Sequence, residues 1–130
     1  MLSMDYGYKR QLNTSYEETI SRAREELQKE DFGVLTEIDV KATLKKKLDV
    51  DFEKYIILGT CNPPFAYQAL KTEKDIGLML PCNVIVYESN GKTYVSAIVP
   101  TVAMNMVENP GLANIAVEVE KKLKKVIDSI

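Results

Sequence analysis

Histidine is missing from all 130 residues, and so is tryptophan. Without histidine the chain has no Ser–His or Cys–His nucleophile pair, no H-E-x-x-H zinc site and no imidazole to act as a general base near neutral pH. Glycine is scarce too, and its six occurrences form neither G-x-G-x-x-G nor the phosphate loop G-x-x-x-x-G-K-[ST]. Standard hydrolase, kinase and dehydrogenase chemistry falls away with these motifs. Charge of one sign is also lacking: 17 basic and 19 acidic residues leave a net charge of -2. That balance gives no field to attract nucleic-acid phosphates or an anionic membrane, so neither partner is expected. No apolar run is long enough to span a bilayer. Met1 to Arg10 carries Asp5, Lys9 and Arg10 and so lacks the apolar core of a signal peptide. With only two cysteines and no secretory signal, the expected compartment is the cytoplasm, where thiols stay free.

What remains fits one compact domain over residues 1–130, large enough to bury a core without disulfide or metal staples. Tyr6, Tyr8, Arg10 and Leu12 alternate as a first half-buried strand. Ser15-Tyr16-Glu17-Glu18 is a capping box opening a helix whose apolar stripe is Tyr16, Ile20, Ala23 and Leu27, ending near Asp31. In a second strand, Val34, Thr36, Ile38 and Val40 are expected on one face, and Leu35, Glu37 and Asp39 on the other. Asp39 then caps a short helix over Lys41 to Leu48, with Lys45-Lys46-Lys47 as a solvated face. Tyr55-Ile56-Ile57-Leu58-Gly59 reads as a buried central strand. A helix follows to about Leu70, then the apolar Ile76 to Leu80 broken at Pro81. Ser89-Asn90-Gly91-Lys92 is a tight hairpin turn joining strands Asn83 to Glu88 and Thr93 to Ile98. After Pro100 comes a helical turn, and Asn109-Pro110-Gly111 breaks the chain. The last helix follows the stripe Leu112, Ile115, Ala116, Val119, Leu123, Val126, Ile127 and Ile130, with Glu118–Lys122 and Glu120–Lys124 pairs outside. Strands followed by a terminal helix predict an α+β fold, a mostly antiparallel sheet with helices on one face.

Chemistry concentrates at two short stretches, Thr60-Cys61-Asn62-Pro63-Pro64 and Pro81-Cys82-Asn83. Cys61 precedes a helix N-terminus, where partial positive charge lowers a thiol pKa, and Cys82 opens a strand that could lie beside it. Sulfurs in contact could form a reversible disulfide or hold a soft metal such as Cu(I); Met79, Met104 and Met106 could add softer donors. The competing reading makes both cysteines small buried hydrophobes, since neither has a basic neighbour in sequence to hold a thiolate. Asn62 reads as a helix N-cap with Pro63 in the first turn, Asn83 as a turn-to-strand hydrogen bonder, and Pro81 as shaping a strand entry, with a cis bond as the minority outcome. Glu37 and Asp39 could pair as an acid–base site, or simply be solvated.

The stretches YIILGTCNPPFAYQAL and IGLMLPCNVIVYESNGKTYVSAIVP resemble the DUF302 family, domains of unknown function. The matching positions are Lys47, Gly59, Cys61, Asn62, Pro63, Leu80, Pro81, Cys82, Asn83, Gly91 and Pro100. The resemblance implies a curved, mostly antiparallel sheet with helices on one face, similar to the TATA-binding-protein-like fold; such a fold does not by itself import DNA binding.

These readings lead to a cytoplasmic, non-catalytic or weakly catalytic domain that binds a small ligand or a partner. Candidate ligand-binding residues are Cys61, Asn62, Pro63, Cys82, Asn83 and Lys47. No cofactor is expected; if a soft metal binds, Cys61 and Cys82 hold it. The alternative function is thiol redox or soft-metal binding by that cysteine pair. A homodimer is expected, because a small sheet gains by burying an uncovered face against a second copy.

Overall fold

Alternating apolar side chains hold the centre of the molecule together. The computed structural model describes residues 5–130; Met1 to Met4, the start of the segment read against a signal peptide, lie outside the described residues. Five strands, β1 (Gly7–Leu12), β2 (Gly33–Asp39), β3 (Tyr55–Cys61), β4 (Cys82–Ser89) and β5 (Lys92–Ile98), form one open sheet in the order β1-β5-β4-β3-β2. Every pairing is antiparallel. The register sets Leu58 beside Val84 and Val84 beside Ala97, with Ile56, Val86 and Val95 in the next row. These six side chains are buried as one apolar layer. Helices α1 (Tyr16–Lys29) and α5 (Pro110–Ser129) close over it through Ala23, Leu27, Leu123, Val126 and Ile127. Full burial of each Leu, Ile or Val in such a layer is worth about 1.5–3 kcal/mol. The fold is α+β, as the element order predicts.

The helix ends follow the expected chemistry with two changes. Ser15 Oγ accepts from the Glu18 amide at 3.1 Å, but Glu18 turns forward to Arg22 at 2.7 Å rather than back to the cap. Asp39 Oδ1 accepts from the Ala42 amide at 2.9 Å and starts α2 (Val40–Leu48), a helix with no buried residue. Asn109 Oδ1 accepts from the Gly111 amide at 3.0 Å, so Asn109-Pro110-Gly111 opens α5 instead of breaking the chain before it. The remaining helical segments are α3 (Pro63–Thr72), a 3-10 segment over Lys74–Met79, and α4 (Pro100–Ala103). Asn90 and Gly91 take positive φ values of 53° and 78° in the β4–β5 hairpin, as an Asn-Gly turn requires.

The expected faces of β2 need correction. Val34 pairs with Thr60 but Thr36 pairs with Gly59, so Leu35 is the extra residue of a bulge. A bulge shifts alternation by one position. Val34 therefore shares the helix-covered face with Glu37 and Asp39, while Thr36 and Ile38 point away from it. Glu37 is engaged by Arg24 of α1, and Asp39 is committed to the α2 cap, so no acid–base pair forms from them. Among the described residues no helix is long and apolar enough to cross a membrane.

Candidate functional site

The end of the sheet where β3 stops and β4 begins is shaped by close approach. Gly59 lies between Thr36 and Asn83 across the two pairings. A Cβ there would collide with Thr36 Oγ1 and stand 2.8 Å from Pro81 Cγ, which accounts for glycine at this position. The Leu80–Pro81 peptide is cis, the less common of the two outcomes open to Pro81. Beside it, Thr60 Oγ1 donates to the Cys82 carbonyl at 2.8 Å and ties the two chain segments together.

α1 ends directly over this region. Asp31 takes a left-handed φ of 67°, its amide bonds to Gln28 O at 3.1 Å, and the Phe32 amide reaches Leu27 O at 2.9 Å. This is a Schellman turn with aspartate in the usual glycine place. It drops Phe32 into the interior at 4% exposure. The carbonyl of Glu30, at the same helix end, accepts from Asn62 Nδ2 at 3.2 Å. Asn62 thus occupies the N-cap position of α3 but makes no side-chain cap hydrogen bond; its amide is spent on α1 instead.

Between this sheet end, α3, the 3-10 segment and α5 lies a cavity of about 400 Å³. Cys61, Asn62 and Cys82 all face it, with Thr60, Phe32 and Phe65 among the other walls. None of the lining residues carries a charge. The space exists because the facing helices present alanines, Ala66 and Ala69 from α3 and Ala116 from α5, where larger side chains would meet. Its mouth is apolar as well: Leu35 and Leu70 line it and remain 66% and 38% exposed.

Both cysteines are free thiols. Burial, and then the neighbouring Cys61, push the Cys82 thiol up to about 11. A group so placed is neutral at physiological pH, the opposite of an activated nucleophile. Among the described residues no three His, Cys, Asp or Glu side chains gather into a metal-binding group. Met104 reaches the cavity, Met79 packs in a small neighbouring cluster, and Met106 is 77% exposed.

Three of the six sequence candidates therefore meet in one place. Pro63 is the exposed first residue of α3 and stands next to Asn62 outside the wall. Asn83 pairs with Gly59 and is exposed, away from the cavity. Lys47 is on α2, which follows Asp39, at the end of β2 far from the Gly33–Cys61 pair. The walls supplied by α5 and by Phe32 were invisible in sequence, because a stripe that packs on a sheet and one that lines a cavity look alike. The alanines of α3 and α5 were the available signal.

Residues 8–130 match the family model DUF302, a domain of unknown function. The chain belongs to the DUF302 family. A crystal structure of an uncharacterized conserved DUF302 protein from Bacillus stearothermophilus is similar to this DUF302 domain at 36% identity and a TM-score of 0.90, covering 95% of this chain and 97% of that one. No curated protein matches.

Proposed function

We propose that this DUF302 domain is a binding protein for a small, uncharged, largely apolar ligand, held in the cavity walled by Cys61, Asn62 and Cys82. The observation that carries the reading is the lining itself: a cleft of about 400 Å³ without one charged side chain. Small-molecule sites run from about 300 to 1,000 Å³ and combine apolar walls with a few placed polar groups. Thr60, Asn62 and the two thiols are those groups here. The raised Cys82 thiol supports binding over the thiol redox or soft-metal alternative, because both of the latter need a thiolate.

A neutral fluorescent probe, N-phenyl-1-naphthylamine, tests this reading. Its emission is expected to rise and saturate on titration with the protein. Ala66→Phe, which fills the cavity from the half-buried face of α3, is expected to weaken that binding at least tenfold while leaving the far-ultraviolet circular dichroism unchanged. Equal binding by both proteins would place the probe elsewhere and sink the proposal.

A further inference from the structure

Hydrogen-bonding capacity around the cavity is distributed unevenly. Thr60 Oγ1 is a donor already used on the Cys82 carbonyl, and Asn62 Nδ2 is used on the Glu30 carbonyl at 3.2 Å. Asn62 is only 6% exposed, faces the cavity, and its Oδ1 receives no hydrogen bond from the described residues. The orientation of the carboxamide is fixed by Glu30 O, since only the NH2 end can donate to a carbonyl. No side-chain oxygen among the described residues is both sealed from solvent and unpartnered, so Asn62 Oδ1 is an open acceptor that water can reach; a ligand that displaces this water without supplying a donor of its own loses that hydrogen bond.

The helix beside Asn62 offers no competing anion site. α3 begins with Pro63 and Pro64, which have no amide protons, and the Ala66 amide is already bonded to Asn62 O at 2.9 Å. The amides that make an ordinary helix N-terminus attractive to carboxylate or phosphate are largely missing. With no cation in the walls, an anionic group would enter the cavity unpaired.

We infer that the ligand is an uncharged molecule with an apolar body and one hydrogen-bond donor, an alcohol or phenol, whose O–H donates to Asn62 Oδ1 in the cavity. Carboxylic acids of the same chain length are discriminated against. The inference rests on the proposed binding function and adds the ligand class to it.

Displacement of N-phenyl-1-naphthylamine from the full chain by three matched compounds tests it: 1-octanol, methyl octyl ether and octanoate at neutral pH. Octanol is expected to displace the probe at a concentration at least tenfold below either of the others, because the ether lacks the donor and octanoate brings a charge. Asn62→Ala is expected to bring octanol and the ether to parity, read as the ratio of their two displacement concentrations within that variant. If that variant does not fold for want of the Glu30 hydrogen bond, the comparison of the three compounds on the unsubstituted protein still decides. An ether equal to octanol, or octanoate displacing best, overturns the donor assignment and leaves the binding function standing. Failure of the probe to bind at all overturns both.

Discussion

At the scale of single residues, the chemistry of the site turns on which groups are kept from ionising. Cys82 is the clearest case: burial and the adjacent Cys61 raise its thiol to about 11, above the ordinary value of 9.0. A folded-state pKa above the unfolded one means the contribution to stability is fully present below the unfolded value and is lost as pH rises from there towards the folded one. Reactivity follows the same sign. At pH 8 only about one Cys82 in a thousand is a thiolate by this argument, and the fraction climbs about tenfold per pH unit. Alkylation of Cys82 by a brief iodoacetamide pulse, read by peptide mapping, is expected to be far slower in the folded protein than in the urea-unfolded chain at pH 8, with the gap closing above about pH 10. Equal rates at pH 8 would mean that the thiol is not desolvated. The sequence showed that Cys61 and Cys82 lack basic neighbours, so the reading of cysteine as a small hydrophobe was available. Asn62 was not legible in the same way. Its cap position could be read from Pro63 and Pro64, but its hydrogen bond goes to Glu30, 32 residues away, and sequence patterns of capping do not encode distant partners.

At the scale of elements, the helical stripes were the most legible part of the chain and the ion pairs the least. The α5 stripe is buried as expected, and Glu120 meets Lys124 at 3.1 Å one turn on. Glu118 instead takes Lys121 at 3.3 Å, while Lys122 reaches across to Glu30 of α1 at 3.8 Å, because tertiary neighbours compete with the i,i+4 register. The bulge at Leu35 hid for a different reason: Val34 and Leu35 are adjacent apolar residues, a pattern that fits a strand buried on both faces as well as it fits an extra residue. Glu120 also fastens α4, accepting from the Thr101 hydroxyl at 2.6 Å and the Thr101 amide at 3.1 Å. Burial pushes its carboxyl up, but these hydrogen bonds and Lys124 together outweigh that and hold it below the ordinary value. A lowered folded-state pKa contributes stability above the unfolded value of 4.5, lost as pH falls through the folded one. Glu120→Gln is accordingly expected to cost about 0.5–1.5 kcal/mol at pH 7, the usual net worth of hydrogen bonds of this kind. The cost should shrink as pH falls below the unfolded value of 4.5 and the native carboxyl takes up its proton. Urea denaturation of both proteins at pH 7 and pH 3 checks it; a difference independent of pH would assign Glu120 a packing role only.

At the scale of the whole molecule, the sheet has two unlike faces, and the sequence indicated this through its helix stripes and strand alternation. One face is sealed by α1 and α5. On the other, the register brings Tyr55, Tyr87 and Tyr94 into one cross-strand row, their rings stacked at centroid separations of 5.3 Å on each side, with Ile57, Ile85 and Ser96 forming the next row. Lys9 Nζ stands 5.5 Å from the Tyr94 ring centroid, and Phe52 and Ile38 at the margin are 44% and 47% exposed. The tyrosine row fixes this surface before any partner arrives, since stacked rings have little side-chain freedom left to lose on association. A second copy related by a two-fold axis would set like rows against each other and bury the isoleucines between them. We propose this face, distinct from the cavity, as the surface for the self-association expected from the sequence. Sedimentation equilibrium is expected to show a concentration-dependent dimer, and the pair Ile57→Lys and Ile85→Lys to shift it to monomer, since closely opposed like charges cost more than the lost apolar contact alone. Those lysines stay solvated in the monomer, so the substituted chain should still fold and still bind the neutral probe. A parent protein that sediments as a monomer throughout would leave this face to water, and the half-burial of Ile57 and Ile85 by their own neighbours would be all that the sheet requires.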